Sequence, residues 1–174
     1  MQADLSPTPS IRQRSVGLAD RVVTSATDER LITFALGSCL GVTLWDPQTK
    51  VGGLLHLMLP DSTTSADKAQ THPFMFADTG LPRFFKDAYA LGAEKSRLVV
   101  AIAGGARMGT PGEDTFQIGQ RNLAAVRKIF WRNGVLINAQ ETGGAIPRTM
   151  TLRIATGEVT LRSERDERVL VPGR

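Results

Sequence analysis

The sequence predicts an α+β fold, an α/β sandwich in which a mixed β-sheet packs against two main helices. Two observations support this class. Short β-rich runs separated by turn residues fill the region between residues 21 and 59. Two later segments repeat apolar residues at the spacing of one helix face, and an uninterrupted apolar run lies between them. Helices packed on a mixed sheet account for this arrangement.

Six to eight strands are predicted, because that many segments are apolar or β-branched and end at turn residues. The eight candidates are Arg21–Thr24, Leu31–Leu36, Leu40–Trp45, Val51–Leu59, Leu98–Ala103, Val135–Ala139, Met150–Ile154 and Val159–Arg162. The pentapeptide Asp46-Pro47-Gln48-Thr49-Lys50 is rich in turn residues, which predicts a hairpin between the third and fourth candidates.

Two helices are predicted from apolar residues that recur every three or four positions. The first runs over Thr79–Leu91 and ends before Gly92, a residue that favours a helix C-terminus. The second runs from about Gly119 to Arg132 and is followed by Gly134. Their apolar faces consist of Leu81, Phe84, Phe85, Ala88 and Leu91 in the first, and Leu123, Val126, Ile129 and Phe130 in the second.

The chain divides into one domain with two terminal extensions. Residues 19–162 contain all the predicted elements. Residues 1–18 carry few large apolar residues and are expected to be a flexible arm. Residues 163–174 mix charges of both signs and end in Pro-Gly-Arg. They are predicted to be either a solvated extension or a short strand through Val169 and Val171.

Composition excludes several functional classes. The 174 residues include no apolar run long enough for a membrane span, which needs roughly 18, and no signal peptide is recognised. A single cysteine without a secretion signal indicates a reducing compartment, so we expect a cytoplasmic protein. The net charge is +4, but basic residues are scattered among acidic ones. This pattern does not favour nucleic-acid binding.

The candidate active site centres on Cys39, the only cysteine of the chain. It lies in Leu36-Gly37-Ser38-Cys39-Leu40, and His56 lies on the return strand of the predicted hairpin. With the turn centred at about residue 48, position 39 faces position 57, and His56 is an immediate neighbour whose face depends on the register. A thiol with a histidine beside it is the arrangement of cysteine nucleophiles.

Each neighbour of Cys39 has a candidate role. An ion pair with His56 would lower the pKa of the thiol, and the imidazole would then store a proton for the leaving group. Thr33, on the preceding strand, is placed to accept a hydrogen bond from His56. The backbone at Gly37 and Ser38 is the candidate for substrate binding, through N–H groups in an oxyanion hole. Most lone cysteines, however, are packing residues, and this alternative stays open.

Several separate motifs resemble the CheD family of chemoreceptor glutamine deamidases, in order and in spacing, over roughly residues 21–162. The matching segments are Thr33–Val42, Gly53–Pro60, Phe76–Thr79, Ile102–Ala106, Ile118–Asn122, Thr142–Gly144 and Thr156–Val159.

The resemblance implies a fold similar to the catalytic domain of the cytotoxic necrotizing factor toxins. It implies Cys39 as nucleophile, His56 as base and acid, and Thr33 as the residue that orients His56. The implied reaction converts glutamine side chains on the cytoplasmic domains of chemoreceptors to glutamate, through a thioester and without a metal or cofactor. A CheC-type phosphatase is the implied regulatory partner.

Two other functions remain open at this stage. The small, basic chain is also suited to a non-catalytic adaptor that binds receptors or a CheC-like phosphatase. A thiol redox sensor is the weaker hypothesis, because the chain holds no second cysteine to resolve an oxidised Cys39. We expect a monomer, because no heptad pattern or long apolar edge is evident.

Overall fold

The computed structural model describes residues 10–164 and 166–174, which form ten strands and three α-helices. The elements are β1 (Arg12–Ser15), β2 (Asp20–Thr24), β3 (Glu29–Leu36), β4 (Leu40–Trp45), β5 (Gly52–Leu57), α1 (Ala66–Thr71), α2 (Ala77–Ala90), β6 (Val99–Gly104), α3 (Ile118–Arg132), β7 (Ala139–Thr142), β8 (Arg148–Arg153), β9 (Val159–Arg162) and β10 (Glu167–Val171). Short 3-10 turns cover Pro73–Met75 and Lys95–Arg97. No helix in these ranges has the length and apolar character that a membrane crossing requires.

The strands form two five-stranded sheets. The central sheet has the order β2-β5-β4-β6-β7, and the outer sheet has the order β1-β3-β8-β9-β10. Each sheet is mixed, because β6 pairs with β7 and β1 pairs with β3 in parallel, whereas the remaining pairs are antiparallel. The α+β class and the two main helices are thus confirmed, but the strands divide between two sheets instead of forming the one sheet predicted.

Two apolar clusters make the molecule three layers thick. One cluster lies between the sheets and includes Leu36, Trp45 and Met150. The other lies between the central sheet and the helices and includes Leu55 and Phe130. All residues of β4 and β5 are buried, because these strands are covered on both faces. Burial on both faces explains why their sequences read as continuous apolar runs without alternation.

The strand predicted at Val135–Ala139 is displaced, since β7 begins only at Ala139. Val135 and Ile137 belong instead to the connection from α3 and pack against the cluster beneath the helices. These residues are therefore apolar because the loop is buried, and not because they pair in a strand. A strand cannot be distinguished from a buried connection by hydrophobicity over such a short run.

Part of the segment predicted to be a flexible arm, residues 1–18, forms a strand. Residues 1–9 lie outside the described part of the chain, but Arg12–Ser15 form β1 on the edge of the outer sheet. All four side chains of β1 are exposed, so the strand is held by backbone pairing and by the ion pair between Arg12 and Asp28. Such a strand leaves no apolar pattern for sequence reasoning to find. At the other end, β10 pairs with β9, which agrees with the strand alternative for that segment.

The turn between β4 and β5 is fixed by the buried carboxylate of Asp46. It accepts hydrogen bonds from Arg97 Nη2 at 2.7 Å and from the backbone N–H groups of Gln48 and Glu94 at 2.9 and 3.0 Å. Burial alone would raise the pKa of Asp46, but the hydrogen bonds from Arg97 and the backbone outweigh it and hold the pKa well below its ordinary value. One side chain thus joins the hairpin to the segment that leads into β6.

Replacing Asp46 by Ala should lower the free energy of unfolding by about 3 kcal/mol, because it leaves the Arg97 guanidinium and two amides without their acceptor. Glu94→Gln is the matched control. It removes the exposed partner of the same arginine and should cost less than about 1 kcal/mol. Urea denaturation measures both variants, and equal losses would contradict the role given to Asp46.

Candidate active site

The β4–β5 hairpin brings Cys39 and His56 onto one face of the central sheet. Leu40 pairs with Leu57, and Gly41 pairs with His56. Cys39 immediately precedes β4 and lies two positions before Gly41. Because side chains alternate between the faces of a strand, Cys39 and His56 share a face and are diagonal neighbours. Cys39 packs against the cluster between the two sheets, so this face is the one that the outer sheet covers.

The observed register differs by one residue from the predicted one, which set Cys39 opposite Leu57. Trp45 and Gly52 close the hairpin, so its centre lies slightly closer to the C-terminus than predicted. The register decides the geometry of the site, because a slip of one residue moves a side chain to the other face of the sheet. In the predicted register, His56 would have pointed away from the thiol.

A hydrogen bond across the sandwich joins His56 of the central sheet to Thr33 of the outer sheet. The Thr33 Oγ1 and His56 Nδ1 atoms are 2.7 Å apart. The same hydroxyl donates its single hydrogen to the carbonyl of Val16 at 2.8 Å. Thr33 must therefore accept at its other contact, which means that Nδ1 of His56 carries the proton. This tautomer leaves the lone pair of His56 on Nε2.

His56 is buried and neutral. Its side chain is about 1% exposed, and Nε2 has no hydrogen-bond partner among the described residues. Burial lowers its pKa to about 4, because the imidazolium would lose its hydration. At neutral pH, Nε2 is consequently a free base.

The loop that holds Cys39 is shaped by close backbone contacts with the end of β6. The N–H of Gly105 donates to the Cys39 carbonyl at 2.9 Å, and the N–H of Ala106 donates to the Gly37 carbonyl at 2.8 Å. Gly104 has φ +108°, and a Cβ there would overlap the Cys39 carbonyl. The glycine pair therefore permits β6 to lie directly against the loop.

Asn122, a residue to which sequence reasoning gave no role, holds both sides of the site. It is fully buried on α3, and its Nδ2 donates to the carbonyls of Ser38 and Met58, each at 2.9 Å. Ser38 precedes Cys39, and Met58 lies two residues after His56. One amide thus fixes the thiol loop relative to the histidine strand. The available signal was a polar residue within the apolar face of a predicted helix.

The thiol of Cys39 is not in an ion pair. Half-burial of the side chain raises its pKa, and its own backbone N–H offsets only part of that effect. Because Nε2 of His56 is unpartnered, no hydrogen bond links it to the sulfur. The expected ion pair, with a lowered pKa of the thiol, is therefore corrected to a neutral thiol beside a neutral imidazole.

Gly37 and Ser38, the residues predicted to bind substrate through their backbone, form the loop before Cys39. Gly37 is buried against Met108, which would contact any added side chain, and Ser38 is half-buried. Neither the N–H of Ser38 nor that of Cys39 donates to a backbone carbonyl in the described part of the chain, and the N–H of Cys39 interacts with its own thiol. The described residues contain no group of three or more His, Cys, Asp or Glu side chains suited to a metal ion.

The titration of His56 should make the free energy of unfolding depend on pH. The folded-state pKa of about 4 lies below the unfolded value of 6.5, so the unfolded chain binds the proton first. Between pH 7 and pH 4 the wild type should therefore lose about 3 kcal/mol of unfolding free energy relative to His56→Gln. The exposed His72 provides the control, and His72→Gln should follow the wild type. Parallel pH profiles for the wild type and His56→Gln would contradict a buried neutral histidine.

Asn122→Leu should change the titration of the thiol. Without the amide, the carbonyls of Ser38 and Met58 lose their donor, the loop leaves its packed position, and the pKa of Cys39 falls towards its ordinary value. The pH dependence of alkylation by iodoacetamide measures this shift. Asn138→Leu is the control, because it also removes a side-chain bond to a strand, at Val100, but away from Cys39. Circular dichroism checks that both variants fold, and an unchanged midpoint in Asn122→Leu would exclude the positioning role.

Comparison with known proteins places this chain in a family. The family described as "CheD chemotactic sensory transduction" matches residues 58–163. The chain is 49% identical over 148 residues to "Probable chemoreceptor glutamine deamidase CheD 1" of Syntrophus aciditrophicus, which covers 85% of this chain and 92% of that protein. It is 42% identical over 162 residues to "Probable chemoreceptor glutamine deamidase CheD" of Solibacter usitatus, with coverage of 93% and 95%.

The range matched by these relatives extends over the positions of the candidate site. A match over 148 of 174 residues leaves 26 outside, so it begins no later than residue 27 and spans Thr33, Cys39 and His56. A third relative, "Probable chemoreceptor glutamine deamidase CheD" of Desulforamulus reducens, is 49% identical over 150 residues, with coverage of 85% and 89%. The chain belongs to the CheD family.

Proposed function

We propose that this chain is a protein-glutamine deamidase that converts glutamine side chains of bacterial chemoreceptors to glutamate, with Cys39 as the nucleophile. The relatives carry the name chemoreceptor glutamine deamidase. The observation that carries the assignment is the bond between Thr33 and His56, which fixes the basic Nε2 on the face shared with the only cysteine. A packing cysteine needs no such oriented base.

The first half of the reaction forms a thioester. As the substrate carboxamide enters, Nε2 of His56 removes the proton from Cys39, and the sulfur attacks the carboxamide carbon. The oxygen of the resulting tetrahedral species lies against the N–H groups of Ser38 and Cys39. His56 then returns the proton to the nitrogen, the carbon–nitrogen bond breaks, and ammonia leaves.

The second half releases the product. Nε2 of His56 takes a proton from a water molecule, whose oxygen attacks the thioester carbon. The carbon–sulfur bond breaks, the proton returns to Cys39, and glutamate remains on the substrate. Thr33 acts through His56 as a positioning residue, since it holds the proton on Nδ1 throughout. No step needs a metal or a cofactor.

In the free protein, Cys39 and His56 are both neutral, so the proposed reaction requires bound substrate. With the pKa of the thiol raised and the pKa of His56 near 4, proton transfer within the free protein is unfavourable. A bound carboxamide changes this balance by bringing the electrophile and by excluding water from the sulfur. Cys39 therefore acts as a nucleophile when substrate fills the site and is otherwise a weakly reactive thiol.

The cellular setting follows from the substrate. The cytoplasmic domains of chemoreceptors are the proposed partners, so the protein works in the cytoplasm. We also propose a CheC-type phosphatase as a regulatory partner and a monomeric state. A non-catalytic adaptor is the competing function, and it requires receptor binding without any conversion of glutamine.

Peptide mapping by mass spectrometry of a receptor cytoplasmic fragment tests the reaction. The native protein should convert specific glutamines to glutamates, and Cys39→Ala should abolish conversion while the fold survives. His56→Gln should lower the rate at least about 100-fold, because it removes the general base. His72→Gln is the control and should retain full activity. Conversion by Cys39→Ala would exclude the mechanism, and binding without conversion by the native protein would identify an adaptor.

A further inference from the structure

Helix α3 exposes a row of basic side chains that the catalytic site does not use. They are Arg121, Arg127, Lys128 and Arg132, all exposed to solvent. None of the four forms an ion pair with a carboxylate in residues 10–164 or 166–174. Other arginines of the chain, such as Arg12, Arg21 and Arg97, are paired with Asp or Glu. The row is thus a local excess of positive charge.

Three of these cations line a shallow groove of about 470 Å³ along α3. Arg121, Lys128 and Arg132 follow one another at seven and four residues, and Ala124 and Ala125 lie between them. These positions lie roughly 10 and 6 Å apart along the helix axis. The small alanine side chains allow another backbone to approach closely.

The carboxylates of the facing wall already have partners. Asp78 accepts hydrogen bonds from the N–H and the hydroxyl of Ser62, at 3.1 and 2.7 Å. The hydrogen bond from Thr63 is the largest cause of the lowered pKa of Asp61, and Arg121 contributes least. Neither carboxylate forms an ion pair with the row among the described residues, and the three cations of the groove outnumber its two carboxylates, so the groove keeps a net positive charge.

The groove begins beside the catalytic loop. Arg121 is adjacent in sequence to Asn122, whose amide holds the carbonyls of Ser38 and Met58. Pro60, on the opposite wall, follows Met58 by two residues. One end of the groove therefore lies next to the residue that holds the Cys39 loop.

We propose that this groove docks an acidic helix of the substrate protein and so presents the reactive glutamine to Cys39. This docking proposal rests on the proposed deamidation and identifies the feature near the reactive glutamine that the enzyme recognises. The recognised feature is a helical face whose carboxylates recur at the spacing of Arg121, Lys128 and Arg132. A nucleic acid is the competing polyanion, and the experiment below distinguishes it from an acidic helix.

The test measures binding in the absence of turnover. Cys39→Ala protein is titrated with a chemoreceptor cytoplasmic fragment, and the dissociation constant is compared with that of the same protein carrying Arg121→Glu and Lys128→Glu. The matched control carries Arg153→Glu and Arg162→Glu, which change the net charge equally on the exposed outer sheet. The groove variant should bind at least about tenfold more weakly, and the control should bind nearly as well as the parent.

The outcomes separate this proposal from the reaction itself. Equal weakening in both variants, or none in either, would overturn the docking surface even if the native protein deamidates the fragment. Competition by a duplex DNA oligonucleotide as effective as the fragment would also overturn it. Selective weakening in the groove variant would support the surface whether or not conversion of glutamine is detected.

Discussion

The hydrogen bond between Thr33 and His56 is the interaction on which the site depends. It is the polar contact that crosses from the outer sheet to the central sheet at His56, and both side chains are buried. Its energy is not the main point, since a neutral hydrogen bond contributes only about 1 kcal/mol net. Its consequence is chemical: the carbonyl of Val16 takes the only hydroxyl hydrogen, and this choice fixes the tautomer of His56.

Through these contacts, the tautomer of His56 depends on β1, a strand at the edge of the outer sheet. Val16 follows the polar strand β1, and its N–H donates to Ile32 on β3. Loss of that edge strand would leave Thr33 free to rotate, and the proton on Nδ1 would no longer be specified. The N-terminal strand buries no side chain of its own, yet it determines which nitrogen of His56 is basic.

The sequence was sufficient for the class, the two helices and the pairing of the strands that carry Cys39 and His56, because these features leave strong apolar and turn patterns. The register was not predictable to the residue, since turn residues from 46 to 50 allow neighbouring centres. The division into two sheets was hidden because pairing between β3 and β8 is non-local. Asn122 carried only a weak signal, and its two acceptors come from segments distant in sequence.

The sequence-based prediction of an ion pair between Cys39 and His56 was wrong because it did not account for burial. A histidine beside a cysteine suggests an ion pair only if both groups remain hydrated or meet directly. Here the sandwich covers His56 completely and the thiol by half, so burial disfavours both charged forms. In the proposed reaction the thiolate forms only with the substrate in place, so substrate selection becomes part of the chemical step. This arrangement favours selectivity in an enzyme that modifies one amide among many on a protein surface. Cys39 would be activated only when the substrate protein has docked outside the pocket and its carboxamide has entered the pocket.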